Sequence, residues 1–200
     1  MFILSVDLGQ SVDYTAISIV EQIQAHELDG AGSAYLLRYL HRAPLGTTYP
    51  VIVGQVLSLL DRPPLSRSET PLVVDRTGVG AAVVDMFTAA GVRPRAITIH
   101  GGDGVVDTDR WNLRVPKRDL AGTLVALFQT GRLKIAAGLA LAPVLARELL
   151  NFKVKVNVAS GHDSYEAWRE GVHDDLVLSV AMACWYGEYQ GAPAGVWCLT

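Results

Sequence analysis

Apolar and polar positions follow two different periods along this chain, and the places where one gives way to the other mark its elements. Residues 2–8 (FILSVDL) and 14–21 (YTAISIVE) are apolar, β-branched runs separated by a short stretch of Gly, Ser and Asp, the pattern of two strands joined as a hairpin. A third strand is predicted over 33–42 (SAYLLRYLHR). After Pro50 the spacing in VIVGQVLSLLD becomes helical, and RPPLSRSETP interrupts it with Pro, Ser and charge, the one stretch that reads as a linker.

The period shortens again at LVVD (72–75), a buried-strand run. Thr77-Gly78 punctuates it, and VGAAVVDMFTAAG follows as a helix stopped at Gly91. RAITIH (95–100) reads as a strand, GGDGVVDTDRWNLRV (101–115) as a loop, Pro116 as a first helical residue, and KRDLAGTLVALFQTG as a helix ending on Gly131. A further helix is expected around 139–151. A half-exposed strand at 152–159 (FKVKVNVA) with DSYEAWRE as its partner forms a late β-hairpin, and DDLVLSVAMACWYG is a last, buried helix. Residues 188–200 are expected to be a peripheral tail. Three hairpin-linked strands followed by alternating helices and strands predict an α/β fold, with a mixed sheet that is antiparallel first and parallel afterwards, flanked by helices. At 200 residues, half of them hydrophobic, the chain is read as one domain, 1–200.

Composition narrows the function classes. No apolar stretch is long enough to cross a bilayer, and the start MFILSVDLGQ lacks the basic region of a signal peptide, so a soluble protein of the cytoplasm with no membrane partner is expected. The two cysteines, Cys184 and Cys198, form neither a C-x-x-C pair nor a zinc pattern. A formal charge of −3 excludes a domain that holds nucleic acid by bulk positive charge; any such contact has to be local.

The positions of the acids carry the candidate chemistry. Asp7 interrupts an apolar strand, where an unpaired carboxylate costs several kcal/mol by burial and calls for a compensating cation. Asp75 ends LVVD, at the carboxyl edge where α/β sheets place their sites. Asp174 and Asp175 open the last helix, where an N-cap role is the plain alternative. Acids on separated elements, at a strand interior, a strand end and a helix start, form the layout that Mg²⁺ or Mn²⁺ requires; two such ions activate water and stabilise a leaving oxygen in phosphodiester hydrolysis.

SVDLGQSVDYTAISIVE, VVDRTGVG with its helix, RVPKRDLAGTLVALFQTGRLKI and HDDLVLSVAMACW, taken in order over residues 2–187, resemble four motifs of the nuclease domain of tailed-phage large terminase subunits. The resemblance implies a ribonuclease H-like fold and a two-metal endonuclease that cuts concatemeric double-stranded viral DNA during genome packaging, in the host-cell cytoplasm. Its metal ligands fall on Asp7, Asp75 and the Asp174/Asp175 pair, with the choice within that pair open. Its partners would be a packaging ATPase domain, a small terminase subunit and a portal. The sequence departs from the family in carrying no G-x-x-x-x-G-K-[ST] loop, so it is either an excised nuclease domain or a free-standing relative.

Other positions have weaker claims. Arg110, Arg114, Lys117 and Arg118 surround the loop before the third major helix and are candidates to hold phosphates, against a reading as a solvated helix start. Lys153 and Lys155 share one face of the late strand and are candidate DNA contacts or ordinary exposed lysines. His173 abuts the acid pair and could tune it from behind the ligands. Gly78 and Gly80 fit close helix–strand packing as well as a phosphate loop. The rival readings are an actin-like or sugar-kinase-like ATP-binding domain, a Holliday-junction-resolvase-like nuclease, and an interaction module with a decayed site.

Overall fold

The computed structural model describes residues 1–9, 13–24, 32–151 and 174–191. The strands of the first half are β1 (Phe2–Asp7), β2 (Ala16–Ile23) and β3 (Ala34–Arg42), followed by helix α1 (Tyr49–Leu60), strand β4 (Leu72–Asp75) and helix α2 (Gly80–Ala89). Then come β5 (Arg95–His100), β6 (Val106–Asp109), β7 (Asn112–Pro116), α3 (Lys117–Gln129), β8 (Leu133–Ile135), α4 (Ala142–Asn151) and α5 (Asp175–Gly191). They form one eight-stranded sheet in the order β6-β7-β5-β4-β1-β2-β3-β8.

The pairing is mixed, as the sequence pattern predicts. β1 and β2 are antiparallel with Phe2 opposite Glu21 and Asp7 opposite Ala16, and β2 and β3 are antiparallel with a register shift at Ile19/Val20. β1–β4, β4–β5, β5–β7 and β3–β8 are parallel. β1 lies at the centre, which is why its apolar residues are buried on both faces.

Each face of the sheet has its own core. Leu4, Val6, Ile17, Val74 and Phe87 pack with α1 and α2 on one side. Ile3, Val20, Leu37, Ile97 and Val115 pack with α3, α4 and α5 on the other. α5 is apolar all round because it is buried all round: every residue from Asp175 to Gly187 is inaccessible or nearly so. Its one polar residue in the middle, Ser179, donates to the Ser5 carbonyl at 3.2 Å and pairs with the Ser18 hydroxyl at 2.9 Å, which fixes the helix across β1 and β2.

Three details depart from the sequence reading. Residues 106–109 and 112–116 are paired strands inside the stretch read as loop. Pro116 is extended, with φ −60° and ψ 135°, and caps α3 from outside rather than starting it. α5 continues through Gly191, so the first residues of the expected tail are helical, and Glu188 accepts hydrogen bonds from Tyr35 and Arg132. The late hairpin, including Lys153 and Lys155, and His173 lie outside the described residues.

Candidate active site

β1, β3, β4, β5 and β7 run in one direction, so their carboxyl ends share an edge. Asp7 ends β1 and Asp75 ends β4; because Val6 pairs with Val74, the two acids stand side by side. Arg42 ends β3, His100 ends β5, and Lys117 follows β7 as the first residue of α3. α5 begins over this edge and brings Asp174 and Asp175 to it. The four acids and Lys117 named from the sequence are thus assembled in one place from four elements.

The local structure around Asp75 shows how the chain holds an acid there. Its Oδ1 accepts the Thr77 N–H at 2.8 Å, and the Thr77 hydroxyl also donates to it. That hydroxyl in turn accepts the Ile99 N–H at 3.0 Å, which tethers the turn to β5. Gly80 starts α2 directly against the strand end, where a Cβ would collide with the Asp75 carbonyl. The T-G-V-G segment is therefore a close-packing device that lets α2 abut Asp75.

Asp7 and Asp75 are each 8 % exposed. Burial raises the Asp7 carboxyl well above the ordinary carboxylate range, and the neighbouring charges of Asp75, Asp174 and Asp175 push it further, with Lys117 pulling the other way. Burial also raises Asp75, opposed by the hydrogen bonds from Thr77 and from Asp7. Of the two carboxyls, Asp7 is the one raised further.

The two acids of α5 are held differently. Asp174 is 27 % exposed and takes the Lys117 ammonium at 2.8 Å. Asp175 is 5 % exposed and receives Arg42 Nε at 2.7 Å. The other edge of the same guanidinium binds Glu148 of α4, and Tyr14 stacks on it at 4.8 Å. Glu148 Oε2 also accepts the Leu176 and Val177 N–H groups at 3.1 and 3.3 Å, capping the first turn of α5. Burial and the nearby Asp175 charge push the Glu148 carboxyl up to about 7. Glu148 and Arg42 are the residues that sequence reasoning missed. They are 106 positions apart and each looks ordinary in its own element.

Among the described residues, no three His, Cys, Asp or Glu side chains stand close enough as placed to hold one metal ion. The donor set nevertheless fits a hard divalent cation: it is all oxygen, mostly buried, and short of positive charge, since burial and three neighbouring acids raise Asp7 against a single lysine. His100, also unforeseen, accepts the Gly102 N–H at Nδ1 at 3.0 Å, while its buried Nε2 meets no partner among the described residues.

The candidate basic residues are not all at this edge. Arg118 is in the first turn of α3 and pairs with Asp103 at 2.5 Å. Arg114 is exposed midway along β7. Arg110 lies in the β6–β7 turn, at the opposite end of the sheet from the carboxylates.

The chain aligns over 92 % of its length with the large terminase nuclease from thermophilic phage G20c, covering 80 % of that chain at 22 % identity and a TM-score of 0.58. It aligns over 98 % of its length with the manganese-soaked human cytomegalovirus terminase nuclease domain, covering 85 % of that chain at 15 % identity and a TM-score of 0.51. Thermus thermophilus RuvC aligns with 95 % of this chain and 95 % of its own at 13 % identity, with a TM-score of 0.48. No family model and no curated protein matches the sequence. The chain has the ribonuclease H-like fold of the terminase nucleases.

Proposed function

We propose that this chain is a divalent-metal-dependent endonuclease that hydrolyses phosphodiester bonds of double-stranded DNA, acting as the nuclease of a terminase on concatemeric viral DNA. The observation that carries the reading is the convergence of Asp7, Asp75, Asp174 and Asp175 at the carboxyl edge of the sheet, with more negative charge than the nearby cations offset. The terminase nucleases that share the fold support it.

In this reading Asp7, Asp75 and Asp174 are the first choice to hold Mg²⁺ or Mn²⁺, because Asp174 is the more open of the helix pair and shares Lys117 with the strand acids. Two bound ions would supply a water activated for attack and a counter-charge for the leaving oxygen. With its carboxyl raised, Asp7 would have to be ionised to serve as a ligand. Lys117, in the same place, is set to neutralise a phosphate or to hold Asp174 in line. Arg42 and Glu148 position the start of α5 from behind, through Asp175 and the Leu176 and Val177 amides. Packaging ATPase, small-subunit and portal partners follow from the same reading.

The test is incubation of supercoiled plasmid with the purified protein and Mg²⁺, Mn²⁺ or EDTA. Nicking and linearisation with metal, absent with EDTA and reduced at least 100-fold in Asp7→Asn and Asp75→Asn, is the expected result. Metal-independent cleavage, or cleavage that survives both substitutions, would overturn it.

A further inference from the structure

At the end of the sheet away from the carboxylates, Trp111 gathers three arginines. The guanidinium carbons of Arg93, Arg95 and Arg110 lie 4.8, 4.6 and 5.4 Å from the centroid of its ring. Arg93 and Arg110 are exposed, and Arg95 and Trp111 are half-buried. A guanidinium held against an indole keeps its planar N–H fork available to an oxyanion.

Arg38, Arg42, Arg67, Arg118 and Arg132 each have a carboxylate within 4.0 Å, whereas among the described residues Arg93, Arg95 and Arg110 have none. What sets these three apart is the shared ring: among the described residues Arg62, Arg76, Arg114 and Arg147 also pair with no carboxylate, but none of them is gathered with others on one aromatic side chain. Asp109, an acid whose charge Arg93 feels, is oriented into the turn, where its carboxylate accepts the Trp111 N–H at 2.7 Å, the Asn112 N–H at 3.1 Å and the Asn112 side-chain amide at 2.8 Å; it stays ionised and offsets part of the cluster's charge. Three guanidinium groups against this one nearby carboxylate leave a local excess of positive charge in a spot about 10 Å across, on a chain whose net charge is −3.

We propose that Arg93, Arg95 and Arg110, held around Trp111, are an anchoring site for the phosphate backbone of nucleic acid, gripping the substrate at a distance from the point of cleavage. The inference rests on the nuclease reading, since the polyanion cut at one end of β5 is the one long enough to reach the other. β5 runs from Arg95 to His100, about 17 Å at ~3.3 Å per residue, which is about five steps of a duplex that rises ~3.4 Å per base pair. Contacts of this kind fix register and orientation without reading sequence.

The experiment measures binding of a fluorescent duplex of three helical turns in EDTA, by anisotropy, over about 50 to 200 mM salt. The unaltered protein is compared with R93A, R110A and the triple variant R93A/R95A/R110A, the two single changes being fully on the surface. Each single variant is expected to lower the slope of log affinity against log salt by about one, and the triple variant by about two to three, with affinity down at least 10-fold at the lower salt. Unchanged slope and affinity in all three would overturn the anchor. So would displacement of the duplex by polyglutamate at equal charge, which would make this a site for an acidic protein segment. Metal-dependent plasmid nicking by the unaltered protein is read separately: nicking with unchanged slopes removes the anchor alone, and lowered slopes without nicking remove the nuclease reading alone.

Discussion

A carboxyl group buried next to three others is a cost to the folded chain unless a cation or a proton relieves it, and Asp7 is in that position. Its native value lies above the ordinary 3.8, so the stability it contributes is full below about that pH and is lost as pH rises through the native value. Metal affinity should move the opposite way, rising over the same window as the proton leaves. Asp7→Asn removes the charge and keeps the shape. It should raise the metal-free melting temperature by about 2–4 °C at neutral pH, the shift that ~1 kcal/mol makes in a chain of this length. It should also abolish the further rise that added Mg²⁺ gives the unaltered protein. A thermal-shift series with and without Mg²⁺ reads both effects, and a lower metal-free midpoint for Asp7→Asn would count against the charge argument. Glu148 follows the same sign: with a native value near 7 against 4.5, its favourable contribution is present below 4.5 and gone above 7. The melting temperature of Glu148→Gln should therefore gain on that of the unaltered protein as pH is raised from about 4.5 to 7.

The elements that hold these residues make their own predictions. Arg42 joins β3 to α4 and α5 through two buried acids, and removing it takes the guanidinium away from both. Arg42→Met should cost about 3–5 kcal/mol in urea unfolding, and loss of less than 1 kcal/mol would show that the pair is not what anchors α5. Gly80→Ala should push α2 off the end of β4 and cost about 1–3 kcal/mol as an overpacked contact, with metal-dependent cleavage falling alongside because Asp75 moves. Strong period-2 and period-3.6 signals made β1 to β5, α1, α2 and α5 legible in the sequence. β6 was not, since its residues VDTD are all exposed and lack apolar alternation; an edge strand needs only one neighbour's hydrogen bonds, not a buried face. β8, three residues long, is too short for any period to show. The acids were legible because a carboxylate inside an apolar strand is conspicuous. Arg42 and Glu148 were not, because their pairing exists only once α4 and β3 meet.

At the scale of the whole molecule, one sheet gathers acids at its carboxyl edge and, at the other, an arginine cluster with no carboxylate within 4.0 Å among the described residues, on a chain that is acidic overall. The first half of this arrangement is the claim on which the rest depends, and it can be measured without any DNA. Mn²⁺ is titrated calorimetrically into the protein and into Asp7→Asn, in buffers of different ionisation heat so that protons released on binding are counted. Saturable binding of two ions by the unaltered protein is expected, accompanied by proton release because the carboxyl of Asp7 is raised, with loss of both the tight binding and the proton release in Asp7→Asn. Binding of the same strength in the two proteins, or no saturable binding in either, would contradict it.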